Sequence, residues 1–246
     1  MLVSESLVVN EIYLSLQGES TFAGLPCVFI RLTACNLRCS YCDTAYAFTE
    51  GKKLPLPEIL QRVRELAEPF SATPSTTRLP LVELTGGEPL LQPNSLPLMK
   101  SLCDDGFVVL VETSGALDIS GVDPRVRRIM DLKCPSSGEA ARNRWENLKC
   151  LRGTDEIKFV IGTREDYDWT KSQIATHGLA AVCPLLCSWV APLVPHQQDK
   201  SLKSIPPGQT PLTRQELAEQ IITDKLPVRF QVQMHKIIWP PDQRGV

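Results

Sequence analysis

Almost no net charge is carried by this chain: 26 lysines and arginines against 28 aspartates and glutamates leave −2 at pH 7. A protein built to hold nucleic acid advertises a basic surplus, so a dominant phosphate-binding surface is excluded, though a local patch is not. No stretch approaches the roughly 18 apolar residues of a membrane span. The opening MLVSESLVVNEIYLSLQGES has no basic start, no continuous apolar core and no small-residue cleavage site, so it does not read as a signal peptide. The expectation is a cytoplasmic protein with no nucleic-acid and no membrane partner, whose thiols stay reduced. Internal repeats and a convincing linker are also missing, so residues 1–246 read as one domain.

What is present is a core and a rhythm. With 43% hydrophobic and 22% charged residues the chain is globular. Strand-like runs at 27–33, 81–85, 107–113, 126–133, 156–162, 180–186 and 228–233 alternate with helix-like segments at 56–68, 94–104, 139–150, 164–176 and 213–224. That alternation predicts an α/β fold with a parallel sheet: a partial or modified TIM-type barrel of about six βα units. The polar, proline-rich stretches 71–80 and 195–211 read as loops, the second a long insertion. Barrels of this type carry their chemistry just after the strands. The unusual segments fall there: the cysteine loop after 27–33, GGEP (86–89), ETSG (112–115) and KCPSSG (133–138).

Three of the nine cysteines, Cys35, Cys39 and Cys42, stand in CNLRCSYC with spacing C-x3-C-x2-C. Structural zinc wants four ligands in a closed tetrahedron, and no C-x2-C partner pair exists elsewhere. Three thiolates can instead hold three corners of a cubane iron–sulfur cluster and leave the fourth iron open. LTGGEP adds two glycines at a strand end, where backbone can approach a ligand closely. A zinc-binding module without enzymatic activity, and a second cluster from the poorly spaced Cys134, Cys150, Cys183 and Cys187, are the alternatives.

CNLRCSYC and LTGGEP resemble the radical S-adenosylmethionine superfamily. The resemblance implies a [4Fe-4S] cluster on Cys35, Cys39 and Cys42, with the open iron binding the amino and carboxylate groups of S-adenosylmethionine. One electron then cleaves the cofactor to a 5′-deoxyadenosyl radical. Within that superfamily, YLSLQGES, Arg31, the Cys-Asp-Thr end of the cluster loop and the closing LPVRFQVQMHKIIWPPDQRGV resemble the 7-carboxy-7-deazaguanine synthase family. The likeness runs from about residue 10 to the end of the chain and weakens through 140–212. It implies conversion of 6-carboxy-5,6,7,8-tetrahydropterin to 7-carboxy-7-deazaguanine with loss of ammonia, a step of queuosine-precursor (7-deazapurine) synthesis, assisted by Mg2+.

Residue by residue, the resemblance places Leu16, Gln17, Gly18 and Glu19 on the guanine-like edge of the pterin. Arg31 falls on the substrate carboxylate, Thr85 and His235 beside the substrate, and Thr44 on Mg2+. Gly87, Cys134, Pro135, Ser136 and Pro192 fall on S-adenosylmethionine. Two departures stand out. No lysine follows Pro135, where relatives with Ser-Pro-Lys have one, and the chain continues past His235 where some relatives end and use their terminal carboxylate. Residues 234–246 are expected to form a substrate-site segment. The resemblance further implies a homodimer and a reductase such as a flavodoxin or ferredoxin. The rival enzyme is a glycyl-radical activase, which shares the cysteine spacing but lacks LQGE, Cys-Asp-Thr and the C-terminal His-Lys.

Overall fold

Alternating apolar residues decide the architecture. In PCVFIRL, Val28, Ile30 and Leu32 are fully buried against helices, while Phe29 and Arg31 turn to the other face. A computed structural model describes residues 5–71, 78–240 and 243–246. It is an α/β fold around one nine-stranded sheet of order β3-β1-β2-β4-β5-β6-β7-β8-β9. The strands are β1 (Ser6–Leu16), β2 (Pro26–Leu32), β3 (Lys52–Pro55), β4 (Leu81–Gly86), β5 (Val109–Thr113), β6 (Arg127–Leu132), β7 (Glu156–Ile161), β8 (Leu185–Trp189) and β9 (Arg229–Gln231). From β2 onward all neighbours pair in parallel. β1 and β3 add an antiparallel edge that the sequence rhythm did not announce.

Helices α1 (Leu56–Ala67), α2 (Ser95–Asp104), α3 (Arg164–His177) and α4 (Arg214–Thr223) fall on segments expected to be helical, and a short α5 (His235–Ile238) follows β9. α3 starts at a capping box, Thr163 with Asp166, and ends at Gly178 in the left-handed region. Their apolar faces join the outer faces of the strands in one large core. No helix among the described residues is long and apolar enough to cross a membrane.

Two expectations need correction. Residues 139–150 form three-ten turns at Ala140–Arg142 and Trp145–Cys150, not a helix. Two asparagines there spend their side chains on backbone: Asn143 bonds both N–H and C=O of Lys133, and Asn147 donates to Gly115 and Leu117 carbonyls. Such side-chain bonds compete with a helical ladder. The strand expected at 180–186 begins only at Leu185, because Leu179–Ala181 is a turn and Pro184 has no N–H for the ladder. The insertion 195–211 is a loop with one three-ten turn, Pro195–Gln197. Of the loop expected at 71–80, residues 72–77 lie outside the described residues.

Candidate active site

Reading the inward face of each parallel strand toward its C-terminal end shows how the site is made. Low in the sheet sit Cys27, Leu81, Leu110 and Ile129, an apolar floor packed with Phe29. One step higher come Glu83, Glu112, Asp131 and Lys158, and above them Arg31, Thr85, Ser114, Lys133 and Val160. This upper layer lines a cavity of about 500 Å3, a size suited to a small molecule with its cofactor. The cysteine loop and the LQGE segment complete its walls.

Cys35, Cys39 and Cys42 all line this cavity, and none is in a disulfide. Burial pushes the Cys39 thiol up to about 12 and raises Cys35 and Cys42 as well. Thiolates there therefore need a cationic partner, which a metal cluster supplies. Two features fit a cluster with an open corner. Leu37 N–H donates to Cys35 Sγ at 3.4 Å, and Lys133 acts on both Cys35 and Cys39. The three thiols do not converge as a single-ion site among the described residues, the arrangement a zinc module would require. Beside them, Gly86 and Gly87 form a cradle with no room for side chains: a Cβ on Gly87 would lie 2.0 Å from the Ala34 carbonyl oxygen. Glu88, fully buried, accepts from Thr113 Oγ1, Ser114 N and Ser114 Oγ, tying this cradle to the end of β5.

Opposite the cluster loop the groups suit a polar heterocycle with a carboxylate. Arg31 Nε donates to Glu11 at 2.6 Å and Nη2 to the Tyr13 hydroxyl at 2.7 Å, which fixes the guanidinium in the cavity wall. Lys158, 3% exposed, pairs with Glu112 and reaches Glu19 at 3.3 Å. Burial opposes ionisation of Glu112, but Lys158 more than offsets it and holds that carboxyl below its usual range. Burial and the neighbouring Glu112 charge push Glu83 up to about 8, so one of the two carboxyls keeps its proton. Thr85 Oγ1 lies 3.4 Å from Glu112.

Gln17 lines the cavity and also holds its own turn. Its amide donates to Glu83 and accepts from Glu19 N and Ser20 N, so the side chain shapes the LQGE turn. Leu16, Gly18 and Glu19 line the cavity around it. The C-terminal segment covers this side. Met234 packs on Gly18, where a Cβ would meet its side chain at 3.1 Å. Gln233 bonds Glu19 and Asp43, Lys236 pairs with Asp43 at 2.6 Å, and His235 Nδ1 is 3.7 Å from Glu19. Gln243 to Val246 also reach the cavity wall. Thr44 lies in the wall, and its hydroxyl makes no bond to the turn it precedes.

Four expected cofactor residues are not among those lining the cavity. Cys134 is fully buried with Sγ 3.7 Å from Thr170 Oγ1. Ser136 is held by Asp166, and Ser40 of the cluster loop donates to the Ser136 carbonyl at 2.7 Å, so this loop buttresses the cluster loop from behind. Pro135 opens that turn, and Pro192 is exposed. Cys183 and Cys187 lie buried in the large core with Cys134, and Cys150 packs against it from the side; none lines the cavity. Conversely Glu83, Glu112, Asp131, Lys133 and Lys158 were not expected. Their signal was charge inside otherwise apolar runs: Glu83 in LVELT, Glu112 in VLVET, Asp131 and Lys133 in IMDLK, and Lys158 in EIKFV.

Three open thiols after the first parallel strand, a glycine cradle after the second and a polar barrel interior define a radical S-adenosylmethionine protein, carrying a [4Fe-4S] cluster and S-adenosylmethionine. The profile of the Radical SAM superfamily matches residues 29–136. A 7-carboxy-7-deazaguanine synthase of Koribacter versatilis is 42% identical over 240 residues, covering 97% of this chain and 99% of its own. One of Chlorobaculum tepidum is 43% identical over 243 residues, covering 98% and 97%. The chain belongs to the 7-carboxy-7-deazaguanine synthase family. Among solved structures, QueE from Escherichia coli shares the fold with a TM-score of 0.65 at 21% identity, covering 93% of this chain and 94% of its own. SuiB of Streptococcus suis, bound to S-adenosylmethionine, shares it at 0.56 and 13% identity, over 81% and 48%.

Proposed function

We propose that the chain converts 6-carboxy-5,6,7,8-tetrahydropterin to 7-carboxy-7-deazaguanine and ammonia, the ring-contraction step of 7-deazapurine synthesis. The observation that carries this reading is a single cavity lined both by the cluster thiols and by carboxylate- and amide-recognising groups. Cys35, Cys39 and Cys42 hold the cluster, and Gly87 lets backbone approach S-adenosylmethionine. When bound, the reduced cluster and that cofactor supply hydrogen-atom abstraction.

The chain's own residues then hold and shield the substrate. Arg31, with its orientation fixed by Glu11 and Tyr13, offers its remaining donors to the substrate carboxylate. Glu19 and the backbone of Leu16 and Gly18 face the amide-and-amine edge. Thr85, Glu112 and Lys158 face the reacting ring, and His235 with its neighbours excludes water from above. The Thr44 hydroxyl, beside Asp43 and 3.7 Å from Cys42 Sγ in the cavity wall, supports a hard-cation site for Mg2+ that keeps several waters.

The chemistry needs one electron from outside, which calls for a flavodoxin or ferredoxin. Exposed Ile222, Phe230, Ile237 and Ile238 in the last three elements support a homodimer. An anaerobic reaction of the reconstituted protein with S-adenosylmethionine, reductant, Mg2+ and the pterin tests the proposal by mass spectrometry. The expected product is 7-carboxy-7-deazaguanine, absent with Cys39→Ala. 5′-Deoxyadenosine without that product would overturn the substrate assignment.

A further inference from the structure

The cavity must receive two carboxylates, one on S-adenosylmethionine and one on the pterin, and its cations are unevenly committed. Arg31 stands with Glu11 and Tyr13, Lys158 with Glu112 and Glu19, and Arg244 with Glu50 over the Tyr46 ring. Lys133 is different. It lines the cavity at the cluster end, is 11% exposed, and uses one of its three N–H donors on Asp131 Oδ2 at 2.7 Å. It acts on both Cys35 and Cys39. Arg38, the other cation near Cys35, is absent from the cavity lining; it donates to the Cys35 and Leu37 carbonyls and lies over the Phe48 ring.

A second observation points to a ligand at the same place. Asp131, 6% exposed, keeps its other oxygen, Oδ1, buried and unpartnered, and the buried Tyr41 hydroxyl is unpartnered too. Both residues line the cavity. Buried polar atoms without partners among the described residues mark where a polar ligand completes the bonding: the Tyr41 hydroxyl can donate to a carboxylate, and Asp131 Oδ1 can accept from an ammonium or hydroxyl of the same ligand.

A cofactor whose amino-acid end meets the open corner of the cluster brings its carboxylate beside the cysteine loop. We propose that Lys133, oriented by Asp131, holds the carboxylate of S-adenosylmethionine. The cation absent after Pro135 is thereby supplied from the end of β6. Lys133 touches the cofactor, whereas Asp131 is a positioning residue.

The test uses the reconstituted protein, with iron and sulfide content measured for every variant. Lys133→Met is expected to weaken binding of S-adenosylmethionine, measured by equilibrium dialysis, about 10- to 100-fold. The electron paramagnetic resonance change that the cofactor causes in the reduced cluster should require correspondingly more cofactor. The KM for the pterin at saturating cofactor should stay within about threefold, and Lys133→Arg should recover part of the lost affinity because it keeps the charge. Asp131→Asn, which frees the lysine without removing it, should weaken cofactor binding by a smaller factor. Unchanged cofactor affinity in Lys133→Met with a raised pterin KM would overturn the proposal in favour of a substrate contact. Low iron content with unchanged affinity per cluster would overturn it in favour of a role in cluster retention.

Discussion

Arg31 enters the cavity with two of its five N–H donors already used, which makes it a rigid fork. Lysine can match its charge but not its geometry. Arg31→Lys is expected to raise the pterin KM about 10- to 100-fold while leaving S-adenosylmethionine affinity unchanged, read by separate titrations of the two ligands. Glu83 gives a prediction in pH. Its folded pKa of about 8 lies above the value of roughly 4.3 expected for an unfolded glutamate. Between those values the folded state binds a proton that the unfolded state has lost, so this residue's contribution falls as pH rises through the window. Urea unfolding at about pH 5 and pH 8 should show a smaller loss of stability for Glu83→Gln than for the native chain. The chemistry of the cysteines was legible in their spacing. The bonds of the Gln17 amide to Glu83 and to its own turn were not, because Gln-Gly-Glu says nothing about which neighbours an amide meets. The ring of Glu83, Glu112, Asp131 and Lys158 was legible in principle, since a fully buried strand has no other use for a charge.

At the scale of elements, the cluster loop is held by neighbours on three sides. The glycine cradle touches it directly, the turn after β6 bonds Ser40, and the insertion lies against it through Lys203. That lysine's N–H donates to the Arg38 carbonyl at 2.9 Å and its Nζ to the Gly138 carbonyl at 2.7 Å. Gly87→Ala would push a methyl into the Ala34 carbonyl. It is expected to abolish measurable cofactor binding and to cost about 1–3 kcal/mol of stability, checked by equilibrium dialysis and chemical denaturation. Replacing residues 199–207 with a short Gly-Ser linker should leave unfolding nearly unchanged, because loop length contributes little. The same change should speed iron release in air several-fold, followed with a chelator. Element boundaries were readable from apolar periodicity in α1 and from the capping box in α3. They were misread at 139–150, where two asparagines divert the backbone, and at 180–186, where one proline delays the strand.

For the whole molecule, the order of the parallel strands followed from the βα rhythm. The antiparallel β1 and β3 did not, because a strand's direction is set by its partner and not by its own residues. The sheet's two edges are linked across the cavity mouth: Gln231 donates to the Ser20 carbonyl, Gln233 meets Glu19 and Asp43, and Arg244 pairs with Glu50 over the Tyr46 ring. Removing residues 233–246 is expected to reduce pterin affinity more than tenfold (roughly 1.4 kcal/mol or more) and to leave cofactor affinity within about threefold. Isothermal titration of each ligand checks both halves of that expectation.

The contacts between Gln231 or Gln233 and the LQGE turn join positions 211 and 214 residues apart in sequence. Contacts so distant along the chain carry a large loop-closure cost and form late in folding. The cysteine loop and its glycine cradle are by comparison close neighbours in sequence. During folding there is therefore an interval in which the thiols are already gathered while the mouth above them still stands open. This interval is the natural moment for the iron–sulfur cluster to arrive.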